Sequence, residues 1–111
     1  MKMVVAYVER GVVEPIREEL LALGFLSISI VAANGSVPEP TVTGSYRGVA
    51  VEEHLRPKSR LECIVGADRA QTVVDTVQKH GGGRYFVCVL PVESASPTDT
   101  ISLDEAVPAG G

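Results

Sequence analysis

The chain has 111 residues, enough for one domain with a single hydrophobic core and too few for two. Apolar residues make up 45% and charged residues 22% of it, an ordinary globular composition, and the scarcity of aromatic residues predicts an aliphatic core. Four of the 14 acidic residues lie in segment 93–111, which has no Lys or Arg, so the rest of the chain balances 10 acidic against 10 basic residues. This balance argues against nucleic-acid binding.

No apolar run approaches the roughly 20 residues that cross a bilayer, and the first residues show no long apolar segment with a cleavage site. We therefore expect no membrane insertion and no secretory signal. Two cysteines, Cys63 and Cys88, lie in apolar strand-like sequence and are interpreted as core residues of a protein in a reducing compartment. These features favour a cytoplasmic protein.

The first half of the chain predicts a strand, a helix and a strand. Residues 3–9 are rich in strand-forming types. Residues 13–23 carry an apolar stripe at helical spacing, and Gly24 is placed to end the helix. Residues 25–32 alternate, which predicts a half-buried strand with Leu26, Ile28 and Ile30 on one face.

The middle of the chain predicts a long loop. It begins at Asn34-Gly35, contains Pro38 and Pro40, and ends near Gly48. Residues 49–55 could form a short extended arm. A loop this long in so small a domain is usually functional or disordered.

The second half repeats the pattern of the first. Residues 59–65 predict a strand and residues 68–79 a helix, with Asp68 as its N-cap. Three glycines, residues 81–83, end that helix, and residues 84–90 predict the last strand. Residues 93–111 are small, polar and acidic, which predicts a flexible tail.

This order is typical of the ferredoxin-like βαββαβ fold of the α+β class, a four-stranded antiparallel sheet with two helices on one face. Residues 1–92 would form this domain, ahead of the tail 93–111. The last strand is apolar on both sides, with Phe86, Cys88 and Leu90 on one and Tyr85, Val87 and Val89 on the other. Because an uncovered apolar sheet face needs a partner, we infer an oligomer whose open faces pack together.

Two segments could hold an anion. Arg56, Lys58, Arg60 and Glu62 lie two apart, so an extended chain points all four to one side. The stretch HGGGRYFV, residues 80–87, joins glycines, whose backbone can approach phosphate, to Arg84. A solvated charged face explains the first segment as well, and a helix C-cap with a tight turn explains the second.

The sequence gives little support for a metal site, a catalytic site or a disulfide. Asn34-Gly35 is read as a turn or as a place where backbone touches a ligand. The histidines and cysteines show no metal-ligand spacing, and no nucleophile, base and acid stand out. We expect neither a metal site nor an enzyme, and no disulfide, because the strands of Cys63 and Cys88 are not neighbours in the predicted topology.

Read together, the segments from residue 1 to about 92 resemble the PII signal-transduction family of trimeric nucleotide-binding regulators. The resemblance is carried by REEL (17–20) with Leu23-Gly24, Tyr46-Arg47-Gly48, Pro57-Lys58 with Leu61-Glu62 and Ile64-Val65, Asp68 with VVDT (73–76), and Gly81-x-Gly83-Arg84 with Phe86-Val87. These look like the family's first helix, its long T-loop, its third strand, its second helix and its phosphate-binding B-loop. Their order and spacing make the match.

The resemblance implies a ferredoxin-like homotrimer with nucleotide sites between subunits and a T-loop, about residues 35–55, that contacts a target. It implies that Glu62, Ile64 and the backbone near Ile28 and Ser29 frame the adenine, that Gly35 lies by the ribose, and that Gly81, Gly83 and Arg84 hold the phosphates. It places an anion or effector near Arg47, Arg56, Lys58 and Arg60. The partner-binding residues at the T-loop tip would be Ser45, Tyr46 and Arg47.

The chain departs from the family pattern at several positions. The tyrosine that enteric members modify is Val51, which excludes uridylylation there. The T-loop glutamine that helps to hold magnesium and 2-oxoglutarate is Glu39, whose carboxylate should repel that dicarboxylate unless a metal intervenes. The stretch T-G-K-I is missing ahead of the glycines, and two arginines that neutralise outer phosphates fall on Ala95 and Pro97.

These departures predict a divergent PII-like regulator that prefers ADP or AMP to ATP. Carboxysome-associated members and regulators of bicarbonate transport suggest bicarbonate as a co-effector and a transporter or enzyme of inorganic-carbon metabolism as the target. No cofactor is required. The alternatives are a nitrogen-regulatory PII that responds to ATP and 2-oxoglutarate, a CutA-like structural or metal-linked trimer without nucleotide, and a slow ATPase.

Overall fold

The computed structural model describes the backbone of residues 1–40 and 51–97, and the side chains of residues 1–36 and 55–97. Its elements are β1 (Lys2–Glu9), α1 (Arg10–Ala22), β2 (Ile28–Pro40), β3 (Val51–Val65), a 3-10 turn (Ala67–Arg69), α2 (Ala70–Gly81) and β4 (Tyr85–Pro91). This order confirms the predicted βαββαβ fold. Among the described residues, no helix is long and apolar enough to cross a membrane.

The four strands form one antiparallel sheet in the order β2-β3-β1-β4. Central β1 pairs Val4 with Cys63 of β3 and Val5 with Cys88 of β4. Adjacent residues of a strand point to opposite faces, so the two cysteines lie on opposite faces as well as on separate strands. Both are free, as predicted, but Cys88 is half-buried on the helix-free face rather than in the core.

The hydrophobic core fills the space between the helices and one face of the sheet. Its buried members are Val4, Ala6, Val8, Ile16, Leu20, Phe25, Leu61, Cys63, Val65, Ala70, Val73 and Val77. The predicted aliphatic core is therefore confirmed, with Phe25 as its buried aromatic residue. Phe25 precedes β2, so the prediction that the strand begins at residue 25 is wrong, and Leu26 beside it is 75% exposed.

Buried Arg69 joins the two halves of the fold behind Phe25. The Arg69 guanidinium lies 4.0 Å from the centroid of the Phe25 ring, and its Nη2 donates a hydrogen bond of 2.9 Å to the Leu23 carbonyl. A guanidinium over an aromatic face is attracted by the ring quadrupole. This stack connects the 3-10 turn to the end of α1.

The end of α1 is a Schellman motif built on Gly24, which confirms the prediction that Gly24 ends the helix. Gly24 has a φ of +95°, the Phe25 N–H donates to the Leu20 carbonyl at 3.0 Å, and the Gly24 N–H donates to the Leu21 carbonyl at 3.0 Å. Glycine adopts this φ without the Cβ clash that other residues meet.

The start of α2 differs from the prediction that Asp68 caps the helix. Asp68 lies inside the 3-10 turn, and neither Gly66 nor Arg69, the N-cap residues of the turn and of α2, makes a side-chain capping hydrogen bond. The extra turn moves the first α-helical residue to Ala70. Asp68 is thus not in the N-cap position.

Strands β2 and β3 continue past the rest of the sheet as a two-stranded ribbon. Their pairing extends to Pro40 opposite Val51, whereas β1 ends at Glu9 opposite Lys58. The predicted loop is therefore wrong for residues 34–40, which belong to β2. Proline is tolerated there because β2 is an edge strand, where a missing N–H does not interrupt the sheet.

The face of the sheet opposite the helices, here called the open face, carries alternate residues of every strand. They are Met3, Val5, Tyr7 and Glu9 of β1, Ser29, Val31 and Ala33 of β2, Arg56, Lys58, Arg60, Glu62 and Ile64 of β3, and Phe86, Cys88 and Leu90 of β4. The β4 side is apolar, with Phe86 60% and Leu90 41% exposed. Tyr85 and Val87 pack against the core instead, which confirms that both sides of β4 are apolar.

Candidate nucleotide and anion site

The predicted anion-binding residues of β3 lie on one face, as the spacing indicated. Across the sheet, Lys58 stands opposite Ala33 of β2 and Glu9 of β1, and Arg56 stands opposite Gly35. Arg84 directly precedes β4, and its Nη1 lies 3.7 Å from Oε1 of Glu9. One end of the open face therefore collects Gly35, Arg56, Lys58 and Arg84, which we call the cationic end.

Lys58 is the most enclosed cation of the cationic end, with 9% of its surface exposed. A Cβ atom on Gly35 would lie 3.2 Å from Cγ of Lys58, so the lysine stem uses the space that a side chain at residue 35 would fill. Gly35 lies within β2, and the alternative interpretation of Asn34-Gly35 as a turn is wrong. The fold thus buries most of the Lys58 side chain at the root of the β2–β3 ribbon, where the ribbon leaves the four-stranded sheet.

The three glycines ahead of β4 have three different structural roles. Gly81 ends α2, and a Cβ there would lie 2.8 Å from Cβ of Tyr85. Gly82 has a φ of +61°, which few other residues adopt. Gly83 has no atom within 4 Å of an added Cβ and no positive φ, so packing of the described chain does not require glycine there.

The segment that joins α2 to β4 is a tight turn of residues 82–84. The Arg84 N–H donates to the Gly81 carbonyl at 3.2 Å, so that amide is directed into the turn. The alternative of a helix end with a tight turn is therefore correct for Gly81 and Gly82. For Gly81, Gly83 and the Arg84 side chain, a role in phosphate binding stays a prediction.

Arg60 and Glu62 pair with each other on the open face. Nη2 of Arg60 lies 2.6 Å from Oε2 of Glu62, and Cζ of Arg60 lies 5.8 Å from the centroid of the Tyr7 ring. Both charges are therefore partly neutralised within the chain. Of the predicted anion ligands, Arg60 thus already has a carboxylate partner within the chain.

The predicted adenine-binding residues lie away from the cationic end. Ser29 stands opposite Glu62, four residues along β3 from Lys58, which is about 13 Å at the rise of an extended strand. Ile64 is two residues further, and the Ile28 side chain packs against the core. A nucleotide that contacted both the adenine-binding residues and the cationic end of one chain would have to lie along β3. The alternative is a site shared by two subunits, in which one supplies the adenine-binding residues and the other supplies the cationic end.

The predicted partner-binding residues Ser45, Tyr46 and Arg47 lie outside the described residues, as does the side chain of Glu39. Val51, at the place of the modified tyrosine, begins β3. No group of three or more His, Cys, Asp or Glu side chains that could hold a metal ion occurs among the residues described.

Cys63 is a free thiol that is buried in the core. Desolvation within the core raises the pKa of the Cys63 thiol to about 11, although the nearby charge of Arg69 acts in the opposite direction. A protonated thiol is a poor nucleophile and a poor metal ligand. The interpretation of Cys63 as a core residue is confirmed.

A polar cluster connects α1 to the last turn of α2, directly ahead of the glycines. Oε1 of Glu19 lies 2.9 Å from Nζ of Lys79 and 2.9 Å from Nε2 of His80. The hydrogen bonds from Lys79 and then from His80 lower the pKa of Glu19. Because these residues are separated by about 60 positions in the chain, their sequence spacing gave no sign of the cluster.

Glu9 is the residue near the candidate site that sequence reasoning missed. It ends a predicted strand, and its position beside Arg84 depends on the pairing of β1 with β4, which brings Val8 opposite Tyr85. The sequence showed that Glu9 is a charged residue at the end of an apolar strand. It did not show which residues lie opposite Glu9 in the sheet.

The chain is similar to known regulatory proteins over most of its length. A family model described as "Nitrogen regulatory protein P-II" matches residues 1–98. The chain is 29% identical to nitrogen regulatory protein P-II 2 of Methanothermobacter thermautotrophicus over 93 residues, which cover 78% of this chain and 81% of the relative. It is 26% identical to GlnK2 of Haloferax mediterranei, over 86% of this chain and 80% of that protein.

A bacterial relative shows the same coverage. GlnK of Escherichia coli is 25% identical over 96 residues, which cover 81% of this chain and 86% of that protein. Proteins of the family are regulatory signal transducers rather than enzymes, and they bind nucleotides and act on target proteins as trimers. With its ferredoxin-like sheet, its β2–β3 ribbon and a family match that spans all of its described residues, this chain belongs to the P-II family of nitrogen regulatory proteins.

Proposed function

We propose that this chain is a cytoplasmic homotrimeric sensor that binds an adenine nucleotide, ADP or AMP in preference to ATP, at the cationic end of the open face. The observation that carries the proposal is the placement of Lys58 and Arg84 on either side of Glu9, next to a glycine-rich turn. The Arg84 guanidinium beside glycine backbone suits a phosphate group, and Lys58 on the other side of Glu9 suits a neighbouring anion.

The preference for fewer phosphates rests on what the site lacks. The positions of the family's two phosphate-neutralising arginines are Ala95 and Pro97, and the turn between α2 and β4 is short, with the Arg84 amide directed to Gly81. Each missing guanidinium removes a charge-assisted hydrogen bond. The loss is greatest for the outermost phosphate of ATP.

Bicarbonate is the co-effector that we propose for Lys58 and Arg56. Lys58 is largely buried beside Gly35, and a compact anion has to displace fewer neighbouring atoms to reach it than a long dicarboxylate does. The bound anion would add a negative charge at the root of the β2–β3 ribbon. It would thereby change how the ribbon is held relative to the sheet.

The T-loop transmits the signal in this proposal. Residues 41–50 follow Pro40 of β2 and precede Val51 of β3, and in this proposal they form the tip of the β2–β3 ribbon. Arg56, Lys58 and Gly35 lie at its root. Ligand binding at the root would shift the population of ribbon conformations, and the tip would then contact a transporter or an enzyme of inorganic-carbon metabolism. Residues 1–92 form the sensing domain in this scheme, and residues 93–111 form its tail.

A second function is favoured by the comparisons. The relatives named above are nitrogen regulatory proteins, so this chain could respond to ATP together with 2-oxoglutarate. Glu39 is the feature that separates the two proposals, because a carboxylate there repels 2-oxoglutarate unless a metal ion lies between them.

Calorimetric titration separates these functions. The purified chain is titrated with AMP, ADP, ATP and cyclic AMP, each with and without bicarbonate and with and without 2-oxoglutarate. Binding of ADP or AMP that bicarbonate strengthens, with no response to 2-oxoglutarate, would support the first function. Tight ATP binding that depends on 2-oxoglutarate would support the second, and no binding of any nucleotide would exclude both.

The site itself is tested with Arg84→Ala. Loss of a charge-assisted bond to phosphate should weaken ADP binding about tenfold to a hundredfold. Arg17→Ala, which removes an equal charge on α1, is the matched control. Unchanged affinity of Arg84→Ala would show that the phosphates bind elsewhere.

A further inference from the structure

A carboxylate without a role in the proposed function lies within reach of the cationic end. Oε1 of Glu9 is 3.7 Å from Nη1 of Arg84, and Glu9 is the cross-strand partner of Lys58. Side chains directly opposite in antiparallel strands have Cβ atoms about 4.5–5.5 Å apart. One carboxylate therefore stands beside both cations that the proposed function assigns to an anionic ligand.

We infer that Glu9 determines ligand specificity: it acts as a built-in counter-ion that lowers the affinity for a nucleotide more strongly as the number of phosphates rises. This inference rests on the proposed function, because it requires the phosphates to approach Arg84 and Lys58. It adds a second source of the same preference, because Glu9 would repel the phosphates, whereas the missing arginines only remove partners from the outer ones.

Electrostatics gives the direction of the effect. A phosphate that reaches Arg84 either displaces the Glu9 carboxylate, which ends the Glu9–Arg84 pair, or binds the same guanidinium and is repelled by Glu9. Coulomb energy scales with the product of the charges, so the second cost increases from AMP to ADP to ATP. Both side chains are partly exposed, Arg84 at 61% and Glu9 at 45%, so each effect is modest and is screened by salt.

Glu9→Gln tests the inference, since glutamine keeps the size of the side chain and removes its charge. We expect the affinity for ADP to rise about two- to fivefold, with a smaller gain for AMP and a larger gain for ATP. The gain should shrink as the salt concentration rises. The matched control is Glu18→Gln, which removes an exposed carboxylate of α1 and should change no nucleotide affinity by more than its experimental error.

The opposite role for Glu9 gives the opposite result. If its carboxylate bound a divalent cation that bridges to the phosphates, Glu9→Gln would lower the affinity measured with Mg²⁺ and leave the affinity measured with EDTA unchanged. That result would overturn the inference, as would equal affinities of wild type and Glu9→Gln for all three nucleotides.

Arg84→Ala, titrated alongside, separates the failure of this inference from the failure of the proposed site. If Arg84→Ala weakens ADP binding and Glu9→Gln does not change it, the site stands and the inference is wrong. If neither variant changes ADP binding, the phosphates do not bind at the cationic end, and both are wrong. Far-ultraviolet circular dichroism of each variant verifies that the sheet is retained.

Discussion

A Cβ atom on Gly81 would lie 2.8 Å from Cβ of Tyr85, a separation that real Cβ atoms do not adopt. Gly81→Ala should therefore force the end of α2 away from β4. We expect the free energy of unfolding to fall by about 1–3 kcal/mol, the usual cost of overpacking, in spite of the better helix propensity of alanine. Urea denaturation followed by circular dichroism measures this loss.

Gly83→Ala is the matched control two residues away. An added Cβ there meets no atom within 4 Å, and Gly83 has no positive φ, so the folded chain accommodates it. Alanine should leave the stability unchanged or raise it by up to about 1 kcal/mol. Equal destabilisation by the two substitutions would contradict the different roles of the two glycines.

The exposed apolar side of β4 predicts how the subunits assemble. Phe86 is 60% exposed on the open face, so Phe86→Glu should place a charge in the proposed subunit interface and give a folded monomer in place of a trimer. Analytical ultracentrifugation measures the mass.

Leu26→Glu is the control for that experiment. Leu26 is 75% exposed and precedes β2 rather than lying on the sheet, so the charge there should leave the trimer intact. A trimer that survives Phe86→Glu would show that the open face is not the interface.

The register of the β2–β3 ribbon allows residues 41–50, the proposed tip of the T-loop, to be removed cleanly. Because Pro40 and Val51 are cross-strand partners, residues 41–50 can be replaced by Asn-Gly, the dipeptide that closes a two-residue hairpin. We expect the oligomeric mass and the affinity for ADP to be unchanged and regulation of the target to be lost. Dissociation of the trimer in this variant would instead give the tip a structural role.

The polar cluster of Glu19, Lys79 and His80 predicts a loss of stability in acid. The hydrogen bonds from Lys79 and His80 lower the pKa of Glu19 in the folded state, so its stabilising effect is present above the ordinary glutamate pKa of about 4.3 and is lost as the pH falls through the lower, folded-state pKa. The difference in Tm between wild type and Glu19→Gln should therefore be full at pH 6 and disappear toward pH 3.

Thermal unfolding of Glu18→Gln at the same pH values provides the reference for a carboxylate of the same helix. If the difference between wild type and Glu19→Gln does not depend on pH, the cluster does not contribute to folding through the charge of Glu19. Lys79→Met, which removes one donor, should reproduce part of the effect.

The order of the elements and the faces of the strands could be predicted from the sequence. Period-two alternation on β3 placed Arg56, Lys58, Arg60 and Glu62 on one side, and the helical stripe with Gly24 predicted α1 and its end. These features depend on residues close together in the chain, whose geometry is set by local sterics and by the burial of one face.

Which residues face each other across strands and helices could be seen only in the tertiary structure. The alignment of Glu9 with Lys58 and Arg84, the meeting of Glu19 with His80, and the contact of Gly81 with Tyr85 depend on strand register and on helix packing. The extension of β2 through Pro38 and Pro40 is possible because β2 is an edge strand. The prolines in the sequence do not show which strand lies at the edge of the sheet. Pairing free energy is shared over a whole strand, so no single residue specifies the register on which these contacts depend.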